Sequence, residues 1–175
     1  MKSLVKVLNL DSIHQTNFVT VDVGYNTGVV HTVDGHIVTD LLVKELKCHK
    51  DLDLASRLLA MGDSFKLALL KCFQNCDATP KVILIEGVQI YASSESSMAS
   101  ASSGDLVGLS YLVGIYVSIA RKDFNIPTRI VLPRQWKGSM GKDIVKNRIK
   151  RATGLNYPEH VADAVGMSLS FRGIL

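Results

Sequence analysis

The stretch FVTVDVGYNTGVV, residues 18–30, decides how the chain is read. Phe18, Val19, Val21 and Val23 are strand formers, yet Asp22 stands among them, and aspartate is disfavoured in strands. Gly24, Tyr25 and Asn26 supply a turn, after which TGVVHTV returns to strand composition. Asp34-Gly35 is a strong two-residue hairpin signal and precedes HIVTDLLV. Residues 17–42 therefore predict an antiparallel meander of three short strands. Taken alone, Asp22 has an ordinary explanation as a strand-end residue before Gly24. Its interest depends on what the rest of the chain brings to it.

Outward from this segment, Leu54, Leu58, Met61, Phe65, Leu69 and Phe73 recur at helical spacing and predict an amphipathic helix over 52–73. Lys81–Ile85, KVILI, is a short apolar run suited to a strand covered on both faces. A serine- and alanine-rich loop covers 92–103, too short for a domain linker and composed for close approach to a ligand or for mobility. Residues 105–124 predict a helix apolar on most sides, which reads as a core helix, a dimer seam carrying Gly108 and Gly114, or both on different faces. A strand at 127–132, a basic helix at 142–152 and a last helix at 158–171 complete the chain, with no internal repeat. This order predicts one mixed α/β sheet, three antiparallel strands plus two parallel ones, flanked by helices. A single domain over 1–175, with its core at about 17–172, accommodates it.

The composition, 47% hydrophobic and 21% charged, argues against disorder. The longest apolar stretch, Leu106–Ala120, is interrupted by glycine and serine and falls short of the roughly 18 residues a spanning helix needs. The first residues lack the apolar core of a signal peptide. Three cysteines cannot all pair within one chain. Cys72 and Cys76, one helical turn apart with Cys48 and His49 to complete a metal site, read more simply as thiols of a reducing compartment. An intracellular, cytoplasmic protein without a membrane partner is expected. The net charge of +4 is concentrated: ten lysines and arginines fall between Arg121 and Arg151, opposed only by Asp123 and Asp143. A solvated helix face explains such a tract. So does a phosphate-binding surface, for which Arg134, Lys137, Lys142, Lys146 and Arg148 are the candidates.

Two further acids and a histidine join Asp22. Glu86 ends the run VILI, and a glutamate closing a buried strand needs a cationic partner, either a lysine or arginine or a metal. His160 and Asp163, three apart in EHVADAVGMSLS, share one helix face. Clustering Asp22, Glu86 and Asp163 is costly: at about 4 Å each like-charge pair costs roughly 4 kcal/mol in a surface-like dielectric. Such a site implies divalent metal or raised carboxylate pKa values. Oxygen donors with one optional imidazole suit magnesium or manganese rather than structural zinc. The chemistry to expect is metal-assisted phosphodiester hydrolysis with two ions roughly 4 Å apart. Asp22 would bridge both, Glu86 and Asp163 would each serve one, and His160 would ligate metal or orient water.

The pieces VDVGYNTG, VILIEGVQIY, LPRQWKGSMGKDIVKNRI and HVADAVGMSL fall in order over residues 18–171. In that order they resemble the RuvC-type Holliday-junction resolvases, and the small phage-type members in particular. The resemblance implies a ribonuclease H-like fold. It implies catalysis by Asp22, Glu86, His160 and Asp163 with two magnesium or manganese ions, in a bacterial or phage-infected cell. It implies a homodimer cutting four-way DNA junctions, with Lys137 and Lys142 on backbone phosphate near the scissile bond and Lys137 counted in the catalytic set. Tyr91, shortly after Glu86, reads as a stacking platform for an unpaired base or as a half-buried aromatic. Two departures from the cellular members, a shorter Lys137–Lys142 interval and the serine-rich loop after Tyr91, point to broader action on forks and flaps.

Trp136 reads as a base-stacking residue or as an anchor of its loop to the core. Gly138–Lys142 fails the phosphate-loop pattern, because Asp143 replaces the required serine or threonine. Asp22-Val-Gly24 with Thr27-Gly28 also fits the opening of an actin-like or sugar-kinase-like ATPase half, although the chain is too short for the second lobe. A catalytically silent branched-DNA binder and a nuclease of ribosomal RNA precursors complete the alternatives.

Overall fold

The computed structural model describes residues 17–33, 36–37, 44–47, 51–75, 79–89 and 105–175. Within them the strands β1 (Phe18–Asp22), β2 (Asn26–Val33), β3 (His36–Ile37), β4 (Lys44–Lys47), β5 (Val82–Glu86) and β6 (Thr128–Val131) form one sheet of order β3-β2-β1-β5-β6. Strands β1 and β2 pair antiparallel, whereas β1–β5 and β5–β6 pair parallel. The helices are α1 (Leu54–Asn75), α2 (Asp105–Ser118, continued by a π-helical turn at Ile119–Asp123), α3 (Pro133–Trp136), α4 (Lys142–Thr153) and α5 (Glu159–Phe171). Among the described residues no helix is long and apolar enough to cross a membrane.

The mixed sheet predicted from sequence is present, with three differences. The third antiparallel position is filled by two short segments, since β3 and β4 both pair with β2. The second of these, KELK, offers only Leu46 as an apolar, buried residue, too little for a periodicity signal. The α-helical part of the 105–124 helix stops at Ser118, where the backbone widens into the π turn. The short helix α3 is an addition, opened by Pro133, a residue favoured in a first helical turn. Tyr91, the loop 92–103, Cys48, His49 and Cys76 lie outside the described residues, while Cys72 is buried in the α1 face of the core.

Strand alternation divides the interior in two. Val19, Val21, Val29, Ile83 and Ile85 face α1 and α2, packing on Met61, Phe65, Leu69 and Tyr116. Phe18, Val30, Val82 and Leu84 face the opposite way, onto Val161, Val165 and Phe171 of α5 and Val145 and Ile149 of α4. The even-numbered residues of β1 and β5 therefore point at α5, and Asp22 and Glu86 belong to that series.

Helix α5 is held down by polar as well as apolar contacts. The Thr20 hydroxyl donates to the Ala164 carbonyl at 2.8 Å, and the Thr32 and Ser168 hydroxyls pair at 2.8 Å. Its first turn rides directly on β2 at Gly28, where a Cβ would stand 2.1 Å from the His160 carbonyl oxygen. Only glycine permits that approach. Gly28→Ala must lift the start of α5 from the sheet, with an expected loss of about 3 kcal/mol, at the upper end for overpacking. Urea unfolding at constant m-value measures it. An unchanged midpoint would show that the helix is not seated as described.

Candidate metal centre

The parallel register pairs Phe18 with Val82 and Thr20 with Leu84, so the last residues of β1 and β5, Asp22 and Glu86, lie side by side at the carboxyl ends of the two strands. Carboxyl ends of parallel strands are where α/β sheets commonly carry ligands. On the other side of β1, Asp22 is paired with Gly28, the glycine under the first turn of α5. That contact carries His160 and Asp163 to the same corner. The β1–β2 turn is fixed by the Thr27 hydroxyl, which donates to the Gly24 carbonyl at 2.7 Å and pairs with the Tyr116 hydroxyl at 2.9 Å.

One oxygen from each of Asp22, Glu86 and Asp163 lies within 4.8 Å of the other two. Among the described residues this is the one group of three or more His, Cys, Asp or Glu side chains able to hold a metal ion. His160 stands beside the group, its Nδ1 2.9 Å from Asp22 Oδ2. Lys137 Nζ sits between two of the acids, 3.5 Å from Asp163 Oδ2 and 3.8 Å from Glu86 Oε1. Lys142 opens α4 and pairs with Glu159, the first residue of α5, at an exposed position. That pair holds the Lys142 ammonium more firmly protonated and the Glu159 carboxyl below its usual range. Being exposed, it contributes little to stability.

Burial sets the electrostatics. Asp22 and Glu86 are only 7% and 8% exposed. Burial pushes the Asp22 carboxyl up to about 6, with the Asp163 charge adding to it and the Glu86 hydrogen bond and Lys137 opposing. Glu86 is raised well above the ordinary glutamate value by burial and by its Asp22 neighbour, against Lys137 and Trp136. Asp163 is raised chiefly by burial, and Lys137 offsets part of the rise. Lys137, with a smaller contribution from Lys142, thus compensates three acids incompletely, and all three carboxyls are held above their ordinary values. A hard, all-oxygen donor set that is under-compensated in this way fits magnesium or manganese.

The structure brings together Asp22, Glu86, Asp163, His160 and Lys137. Arg134, Lys146 and Arg148 lie outside the cluster, on α3 and α4 and at least partly in solvent. A cleft of about 380 Å³ adjoins Glu86, with Val23, Leu106, Leu109, Pro133, Lys137 and Lys142 in its walls. Sequence reasoning gave Trp136 no part in the site. In the structure it is fully buried, as a loop anchor should be, but its indole N–H donates to Glu86 Oε1 at 3.0 Å. No local signal reveals that contact, because it depends on α3 folding back over β5.

No protein-family model and no curated protein matches the sequence. Solved structures do match. The Thermus thermophilus RuvC structure in complex with Holliday junction substrate superposes with a TM-score of 0.59 at 20% identity, covering 89% of this chain and 92% of that one. A second T. thermophilus RuvC structure gives 0.58 at 19% identity over the same shares. Likeness at this identity speaks for the backbone arrangement, and with the mixed sheet, its strand order and the helices on both faces it leads to one statement: the chain has the ribonuclease H-like fold of RuvC.

Proposed function

We propose that this protein is a divalent-metal-dependent endonuclease that resolves four-way junctions and related branched DNA. The observation that carries the reading is the convergence of Asp22, Glu86 and Asp163, from three separate elements, into one buried acidic group. The RuvC likeness supports it, since one of those structures holds a Holliday junction substrate.

Asp22, Glu86 and Asp163 would hold magnesium or manganese, two ions per site. Bound there, the ions supply Lewis-acid polarisation of a phosphoryl oxygen and a water of lowered pKa. The chain's own groups do the rest. Lys137 keeps a fixed positive charge against Glu86 and Asp163 and is placed to meet a phosphate oxygen arriving at the cluster. His160 holds Asp22 Oδ2 through Nδ1, orienting that carboxylate or passing a proton at its edge. Lys142 pairs with Glu159 and is positioned to exchange that partner for a phosphate. Lys146 and Arg148, on the exposed side of α4, extend the basic surface along the backbone together with Arg134, and their contribution will weaken with salt. Tyr91 would stack on an unpaired base at the crossover.

A four-way junction presents two symmetry-related strands, so a homodimer with one site per strand suits it. Leu59 and Leu67 on α1 and Val107 and Tyr111 on α2 are more than half exposed and available to such an interface.

The test is cleavage of labelled four-way junction, Y-fork, duplex and structured RNA, each with magnesium and with chelator. Paired nicks near the crossover, in magnesium only, are expected. Binding of the junction without cleavage would make the protein a silent binder, and preferential cutting of RNA would move it to RNA processing. Either result removes the present reading.

A further inference from the structure

We propose that Trp136 is a positioning residue for the metal site: its indole N–H fixes the Glu86 carboxylate so that one defined oxygen, Oε2, is presented to the cation. The inference rests on the metal reading of Asp22, Glu86 and Asp163 given above.

Glu86 has two oxygens. Oε1 accepts the Trp136 indole N–H at 3.0 Å and lies 3.8 Å from Lys137 Nζ. Successive residues at the end of α3 therefore grip the same oxygen, but in different ways. The lysine supplies charge on a flexible stem. The indole supplies direction, because it is a donor only, with no acceptor atom and no proton to lose near neutral pH. As a donor that keeps its proton near neutral pH, it can bond Glu86 Oε1 whether that carboxyl is charged or protonated.

The indole is itself immobilised. Trp136 is fully buried, and its carbonyl accepts the Ser170 hydroxyl of α5 at 2.9 Å. Its ring lies against Gly166 of α5, where a Cβ would stand 2.7 Å from a ring carbon. The same helix that delivers Asp163 thus clamps the residue that aims Glu86, and two of the three acids are located by one rigid element. A tryptophan serving only to fill the core needs some acceptor for its N–H, and a backbone carbonyl would satisfy it. Here the acceptor is an acid of the candidate metal centre. Partners of this kind, outside the ligands themselves, typically matter 10–100-fold in metal affinity.

Trp136 is the chain's one tryptophan, so its indole signal is unambiguous. Two measurements on the full-length, DNA-free protein test the proposal: calorimetric titration with manganese, and the indole ¹H–¹⁵N resonance during magnesium titration. Trp136→Phe keeps an aromatic ring against Gly166 and removes the donor. Its manganese affinity should fall about tenfold, while junction binding in chelator stays at the wild-type level. In the wild type the indole resonance should shift saturably with magnesium. Glu86→Gln should move that resonance and abolish its response to magnesium, which decides the matter if Trp136→Phe does not fold. A wild type that binds manganese beside a Trp136→Phe protein of equal affinity overturns this proposal alone, as does an indole resonance indifferent to both magnesium and Glu86→Gln. A wild type that binds no manganese overturns the metal reading and this proposal with it.

Discussion

Asp22→Asn is expected to reduce magnesium-dependent junction cleavage by roughly 10³-fold or more, the scale of losing a charge-stabilising group at the reacting centre, while making the metal-free protein more stable. The two effects have one cause. Asp22 is buried, and its carboxyl titrates at about 6 instead of the ordinary 3.8. For an acid raised in the folded state, ionisation above that pKa works against folding. At neutral pH the burden is on the order of 3 kcal/mol for a rise of this size, before Lys137 and His160 rearrange to relieve it. Asparagine fills the same space uncharged, and its carbonyl oxygen can still accept a hydrogen bond from His160 Nδ1. A melting temperature several degrees higher in chelator is therefore expected, together with loss of the stabilisation by magnesium. A variant that is inactive and also destabilised in chelator would point to a structural aspartate.

The second large effect is a linkage between pH and metal. In chelator, stability should fall as pH climbs from 3.8 through about 6, because across that window the folded chain keeps a proton on Asp22 that the unfolded chain has released. Glu86, raised well above 4.5, carries the decline to higher pH, and Asp163 acts in the same direction. Divalent ions bound at the three carboxyls would take the place of those protons. Magnesium should therefore raise the melting temperature strongly at pH 8 and weakly at pH 5, where it must first displace protons. A ligand at 100 times its dissociation constant contributes about 2.7 kcal/mol. Scanning calorimetry at both pH values, with and without 10 mM magnesium as roughly that excess, measures the difference. Equal shifts at pH 5 and pH 8 would separate the ion's binding from these carboxyls.

Much of this arrangement could be read from residues. The strand compositions of FVTVD and VILIE placed β1 and β5, and an acid at the end of each was anomalous enough to mark it. The three-residue spacing of His160 and Asp163 put both on one face of α5. What sequence could not supply was register. Only the pairing of Phe18 with Val82 sets Asp22 beside Glu86, and a slip of one residue would have turned one acid to the α1 side of the sheet. Gly28 stood inside the predicted second strand, and nothing local shows that its work in the structure is to let α5 touch the sheet. Strand β4 was hidden because three of its four residues are charged. The grip of Trp136 on Glu86 joins residues 50 positions apart and leaves no periodic trace.

The most direct measurement is a crystal of the DNA-free protein soaked in manganese, with anomalous scattering recorded at the metal's absorption edge. A strong peak bounded by the carboxylates of Asp22, Glu86 and Asp163 is expected, lost in Asp22→Asn crystals treated alike. An empty corner between those three side chains at saturating manganese, or manganese bound only elsewhere on the surface, would contradict it.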